Sequence, residues 1–116
     1  MIRLHVLAVP HTASSKEYTV CAFTQKVINF CKMYKEQGMH VIHYGHENSN
    51  VICDEHVTVT TQKVIDDEYG IYDWKNQGLK FVMGDKVQQT FNENAIREIK
   101  LRKQPGDIIL CFFAIS

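Results

Sequence analysis

The order in which segment types follow one another constrains this chain most. An apolar strand pattern is followed by a polar loop, an amphipathic helix pattern and two further strand patterns. That order writes a βαβ unit, and its strands must lie parallel because a helix carries the chain back between the first two. In the first strand Ile2, Leu4, Val6 and Ala8 alternate, and Leu7 and Val9 fill the intervening positions before Pro10 ends it. Apolar residues on both faces suit a central parallel strand covered on both sides. Residues His11 to Thr19 are small and polar. Phe23, Val27, Phe30, Cys31 and Tyr34 then recur at helical spacing, with Lys26, Lys32 and Lys35 opposite, and predict a helix from about Cys21 to Gln37 stopped by Gly38.

Val41 to Tyr44 reads as a short strand cut off by Gly45, and His56 to Thr60 as another, with a turn-rich loop, Glu47 to Asn50, between them. Residues 61–90 carry the weakest pattern: Gln62 to Tyr69 fits a helix with Val64, Ile65 and Tyr69 inward, and Gly70, Gly78 and Gly84 punctuate the rest. Phe91, Ala95, Ile96 and Ile99 restore helical spacing, with Thr90 or Asn92 as the cap and Pro105-Gly106 as the stop. A last strand is expected from Ile108 to Ala114. The expected fold is therefore a single α/β domain over residues 1–116, a Rossmann-like three-layer sandwich. Its mostly parallel sheet has about four strands in the order 3-2-1-4, which right-handed crossovers favour.

Composition excludes several classes. The 116 residues suit one core and leave no room for two nucleotide-binding halves. Thirteen basic and thirteen acidic residues cancel, with no basic stripe to neutralise a phosphate backbone, so no nucleic-acid partner is expected. The apolar run Ile108 to Ile115 is far shorter than the ~20 residues that span a bilayer. Met1 opens directly on a strand instead of a charged and then apolar leader, so the expected location is the cytoplasm, without a membrane span. Cys21, Cys31, Cys53 and Cys111 form no C-x-x-C pair and read as reduced thiols.

Open parallel sheets place ligands beyond the carboxyl ends of their strands, where loop and helix amides converge. The loop after the first strand makes His11 a candidate general base, because imidazole titrates near neutral pH, or else a residue capping a turn. Thr12, Ser14, Ser15 and Lys16 follow it. Tyr44, His46 and Glu47 at the end of the second strand could line the same crevice. Neither G-x-G-x-x-G nor G-x-x-x-x-G-K-[ST] is present, so no dinucleotide clamp or Walker-type cradle is expected. His40, His43 and His46, with Cys53 and His56, raise a zinc reading, but residues three apart on a strand face opposite ways and no metal is assigned.

Several stretches together carry a resemblance: Pro10-His11-Thr12, Cys21 to Val27, Phe30-Cys31, Gly38, Val41 to Gly45, Glu55 to Val57 and Asp107 to Phe112. The pattern resembles the N-terminal half of GT-B glycosyltransferases of bacterial, phage and large-virus type, over nearly the whole chain. The resemblance implies an acceptor-binding half, with His11 and Thr12 on the acceptor side of the cleft. Thr12, Ser15, Lys16, Tyr44, His46 and Glu47 would then hold a glycan or small hydroxyl acceptor. A nucleotide-sugar is implied for the complete enzyme but no cofactor is assigned to this chain, which lacks a counterpart of the nucleotide-sugar half and is not expected to act alone. A second Rossmann-like lobe or a homodimer would complete it. The alternative is a non-catalytic Rossmann-like protein that binds a ligand or partner through the same loops.

Overall fold

The computed structural model describes residues 1–112. Four strands, β1 (Arg3–Leu7), β2 (His40–His46), β3 (Glu55–Thr60) and β4 (Ile108–Cys111), form one sheet in the order β3-β2-β1-β4. Every neighbouring pair is parallel, with Leu4 opposite Val41 in β2 and Ile108 in β4. The expected order and class are those observed. Residues 113 and 114 of the expected last strand lie outside the described residues.

Helix α1 (Ala22–Glu36) covers one face of the sheet. Leu4, Val6, Ala8 and Val41 pack there against Val27 and Cys31, which are fully buried on the helix. The other face is covered by α4 (Lys86–Arg102), whose Phe91, Ala95 and Ile99 meet Ile42, Tyr44, Val57 and Val59. Each fully buried Val, Leu, Ile or Phe among them contributes roughly 1.5–3 kcal/mol by leaving water. Between β3 and α4 come α2 (Gln62–Tyr69) and the single turn α3 (Trp74–Gln77).

No helix joins β2 to β3. Residues 47–54 return along β2 from His46 to the level of Val41, about 17 Å at the strand rise, and eight residues span it with room for the turn closed by the Ser49 N–H on the His46 carbonyl. They form a strap on the α1 side. Its top is held by the Asn50 N–H on the Ser14 carbonyl at 2.9 Å, and its base by the Asp54 N–H on the Val41 carbonyl at 2.8 Å. The Asp54 carboxylate accepts the Val41 N–H in return at 2.7 Å, and Val51 and Cys53 turn inward against the α1 cluster.

Four sequence expectations are corrected. Strand β2 runs through Gly45 to His46, with the pairing to β3 shifting register between those two residues. Helix α4 begins at Lys86, a turn earlier than expected, because Asp85 and not Thr90 or Asn92 is its cap, accepting the Gln88 N–H at 2.9 Å. Ile96 is half exposed instead of inward. Part of the polar loop, Lys16–Tyr18, is a 3-10 turn.

Candidate functional site at the carboxyl ends of the strands

Helices α1 and α4 both lead into parallel strands, so their N-termini lie at the carboxyl end of the sheet, as do the loops after β1 and β3. A crevice of about 300 Å³ opens at that end. Its walls come from the loop after β1 (His11, Thr12, Tyr18), from α2 (Gln62, Ile65, Asp66) and from the segment through α3 (Ile71, Tyr72, Trp74, Leu79). Tyr18 and Trp74 stack with centroids 4.6 Å apart and so join the first loop to α3.

The polar part of the wall is ordered by a chain of hydrogen bonds. His46 is buried, and its Nδ1 accepts the Asn48 N–H at 3.0 Å, which places the ring proton on Nε2. That Nε2–H donates to Gln62 Oε1 at 3.1 Å, and Gln62 Nε2 donates to Asp66 Oδ1 at 2.9 Å. Burial pushes the His46 pKa down, so at neutral pH this tautomer is neutral. Glu47 acts beside it: its Oε2 accepts the Gln62 N–H at 3.1 Å and satisfies one amide of the first turn of α2.

His11 is almost fully buried at the crevice and lies 4.9 Å from the Phe81 ring, centroid to centroid. Desolvation lowers its pKa to about 4, against the pull of the Asp85 carboxylate. The ring is therefore unprotonated at neutral pH, and weaker as a base than an exposed histidine. Thr12 is buried beside it, and its hydroxyl has no hydrogen-bond partner among the described residues. An unsatisfied buried hydroxyl in a crevice wall is a polar group that a ligand or water would complete.

Other expected site residues lie elsewhere. Tyr44 is wholly buried beneath α4, so its hydroxyl does not reach the crevice. It bonds His5 Nδ1 at 2.7 Å, and His5 Nε2 bonds Asp107 Oδ2 at 2.7 Å. Asp107 precedes Ile108, which pairs with Leu4, so this chain stands toward the amino end of the sheet, away from the ligand side. Ser15 caps the 3-10 turn by position but makes no side-chain cap bond. Lys16 lines a different groove, between α1 and the strap.

The loop that carries His11 and Thr12 is anchored through Ser14. Its hydroxyl meets His43 Nε2 at 2.9 Å, while His43 Nδ1 meets His56 Nδ1 at 2.9 Å. Burial, reinforced by His56, lowers the His43 pKa to about 3. A Cβ on residue 45 would come within 2.6 Å of the His43 ring, so glycine there gives the imidazole its room. His40, His43 and His46 thus face Asp54, Ser14 and Gln62 respectively. Among the described residues no group of three or more metal-ligating side chains comes together.

Sequence reasoning missed Tyr18, Gln62, Asp66, Tyr72, Trp74 and Leu79 as wall residues. Most come from the weakly patterned stretch after β3, where helix α3 is a single turn. No family model matches this chain, and no curated protein or solved structure does.

Proposed function

We propose that the crevice at the strand ends binds a hydroxyl-bearing acceptor, a glycan or small alcohol, as the acceptor-side half of a nucleotide-sugar-dependent glycosyltransferase. The observation that carries the reading is the pairing within one crevice of the stacked Tyr18 and Trp74 rings with a carboxylate, Asp66, oriented through Gln62 and His46. Aromatic rings accept the C–H faces of a sugar, and a fixed carboxylate with neighbouring amide and hydroxyl groups binds its hydroxyls. The resemblance noted from the sequence agrees with this role. In the transfer, the acceptor oxygen bonds to the anomeric carbon, the bond to the donor's phosphate oxygen breaks with its electron pair, and the hydroxyl proton passes to neutral His11. Donor and acceptor react only when held together, so the donor comes on a second lobe or partner.

A second reading, a non-catalytic binding protein, is favoured by one observation. The outer edge of β4 has no neighbouring strand among the described residues and exposes Ile108 and Ile109 by almost half, as an edge that pairs with another chain would.

Calorimetric titration with glycans, simple alcohols, free nucleotides and nucleotide-sugars separates the readings. Glycan binding that weakens at least tenfold in Trp74→Ala and Asp66→Asn supports the acceptor role. Binding of nucleotide-sugar without glycan, or of no member of the panel, contradicts it. Loss of sugar transfer in His11→Ala with glycan binding retained, assayed with the donor-bearing partner, separates the base from the binding groups.

A further inference from the structure

A second groove, of about 410 Å³, lies between α1 and the strap and shares no lining residue with the crevice. Lys16, Ile28 and Lys32 form one side, and Asn50, Val51 and Ile52 the other. Ile28 and Lys32 stand one helical turn apart on α1, so the apolar and the charged group share a face. On the strap, Val51 turns toward the core and Ile52 stays about half exposed, the alternation of an extended segment. The groove thus has an apolar floor and a cationic rim.

The two ammonium groups are poorly neutralised. Lys16 makes no side-chain ion pair or hydrogen bond with another described residue. Lys32 meets Glu36 at 4.0 Å, with both side chains more than half exposed, an arrangement that contributes little. The Asn50 backbone is fixed by its bond to the Ser14 carbonyl, which holds this part of the groove wall in place. By contrast, Lys35, three residues along α1, is closely paired with Asp54. The ammonium groups of Lys16 and Lys32 stand beside the groove without the close pairing that Lys35 has.

We infer that this groove binds a soluble phosphomonoester carrying a short apolar group, with Lys16 and Lys32 on the phosphate and Ile28, Val51 and Ile52 around the apolar part. A phosphate dianion matches two ammonium groups where a single carboxylate would leave one unmatched. The volume suits a small molecule. This goes beyond the acceptor reading and does not depend on it.

The test is an amide NMR titration of the full chain with hexyl phosphate, inorganic phosphate and hexyltrimethylammonium. Hexyl phosphate is expected to shift the amides of Ile28, Lys32, Val51 and Ile52 and to bind at least about tenfold more tightly than inorganic phosphate, since its methylenes leave water. Lys16→Gln and Lys32→Gln, both at exposed positions, should each weaken it about three- to fivefold, and added salt should do the same. Equal binding of the ammonium amphiphile would overturn the role of the lysines. Equal binding of inorganic phosphate would overturn that of the apolar floor. Shifts confined to Trp74, Tyr72 and the crevice, or no shifts, would overturn the site itself, whatever the outcome for glycans.

Discussion

At the scale of single residues, histidine carries most of the chemistry, and burial decides what each one does. His11, His43 and His46 all have lowered pKa values, chiefly because their surroundings desolvate the charged form. The unfolded chain takes up protons on these rings near pH 6.5, whereas the folded chain resists until about pH 4 at His11 and about pH 3 at His43. The unfolded state therefore binds more protons in that window, and stability must fall as pH drops from about 6.5 toward 4. Chemical denaturation at stepped pH should show this fall, with a shallower slope in His43→Gln. Asp107 acts in a lower window. His5, the Gln104 N–H and Arg3 hold its pKa well below the usual carboxylate range. Its stabilising contribution is complete above the unfolded carboxylate value and is lost as pH falls toward the folded one. Tyr44 closes the same chain from within the core, and Tyr44→Phe leaves a buried His5 nitrogen without its partner. A loss of about 1–3 kcal/mol in urea denaturation is expected. Placing Tyr44 at the crevice from the sequence failed for a definite reason. Strand-end position gives a side chain's height along the sheet, but the face it takes and the direction of a long side chain depend on the helix packed over it.

At the scale of elements, the existence of each main helix and strand was legible, while helix starts depended on which residue caps them. Helix α1 and strands β1, β2 and β3 were placed within a few residues, and α2 was placed at its observed bounds, Gln62–Tyr69. Helix α4 was placed a turn late because its first turn is polar apart from Val87, which lies buried four residues before Phe91 and was the available signal. The cap there has two tasks: Asp85 Oδ1 accepts the Gln88 N–H, and Oδ2 accepts the Tyr69 hydroxyl. It thereby ties the end of α2 to the start of α4, beside His11. Asp85→Ala should cost about 1–2 kcal/mol from the cap, with a further loss from the Tyr69 bond, measured as a lower denaturation midpoint. From the sequence the strap between β2 and β3 reads as a turn-rich loop. Its course back along β2 follows only once the two strands are known to be parallel neighbours, with Glu55 opposite Ile42.

At the scale of the whole molecule, the all-parallel order β3-β2-β1-β4 followed from the sequence because chain order and crossover handedness leave few alternatives. It fixed the end of the sheet at which a site belongs. It did not supply the walls, since apart from Tyr18 the aromatic groups of the crevice, with Asp66, come from the weakly patterned stretch after β3. Among the described residues, no helix is long and apolar enough to cross a membrane. In the proposed reading, this end of the sheet binds a hydroxylated ring against Trp74. Trp74 is the single tryptophan of the chain, so its intrinsic fluorescence reports on the crevice alone. The most direct measurement is a fluorescence titration of the full chain with a glycan panel, repeated with Asp66→Asn. A saturable change in Trp74 emission with at least one glycan is expected, with an affinity at least about tenfold weaker in the variant. Emission that no glycan alters, or an equal response with and without the Asp66 carboxylate, would contradict that reading.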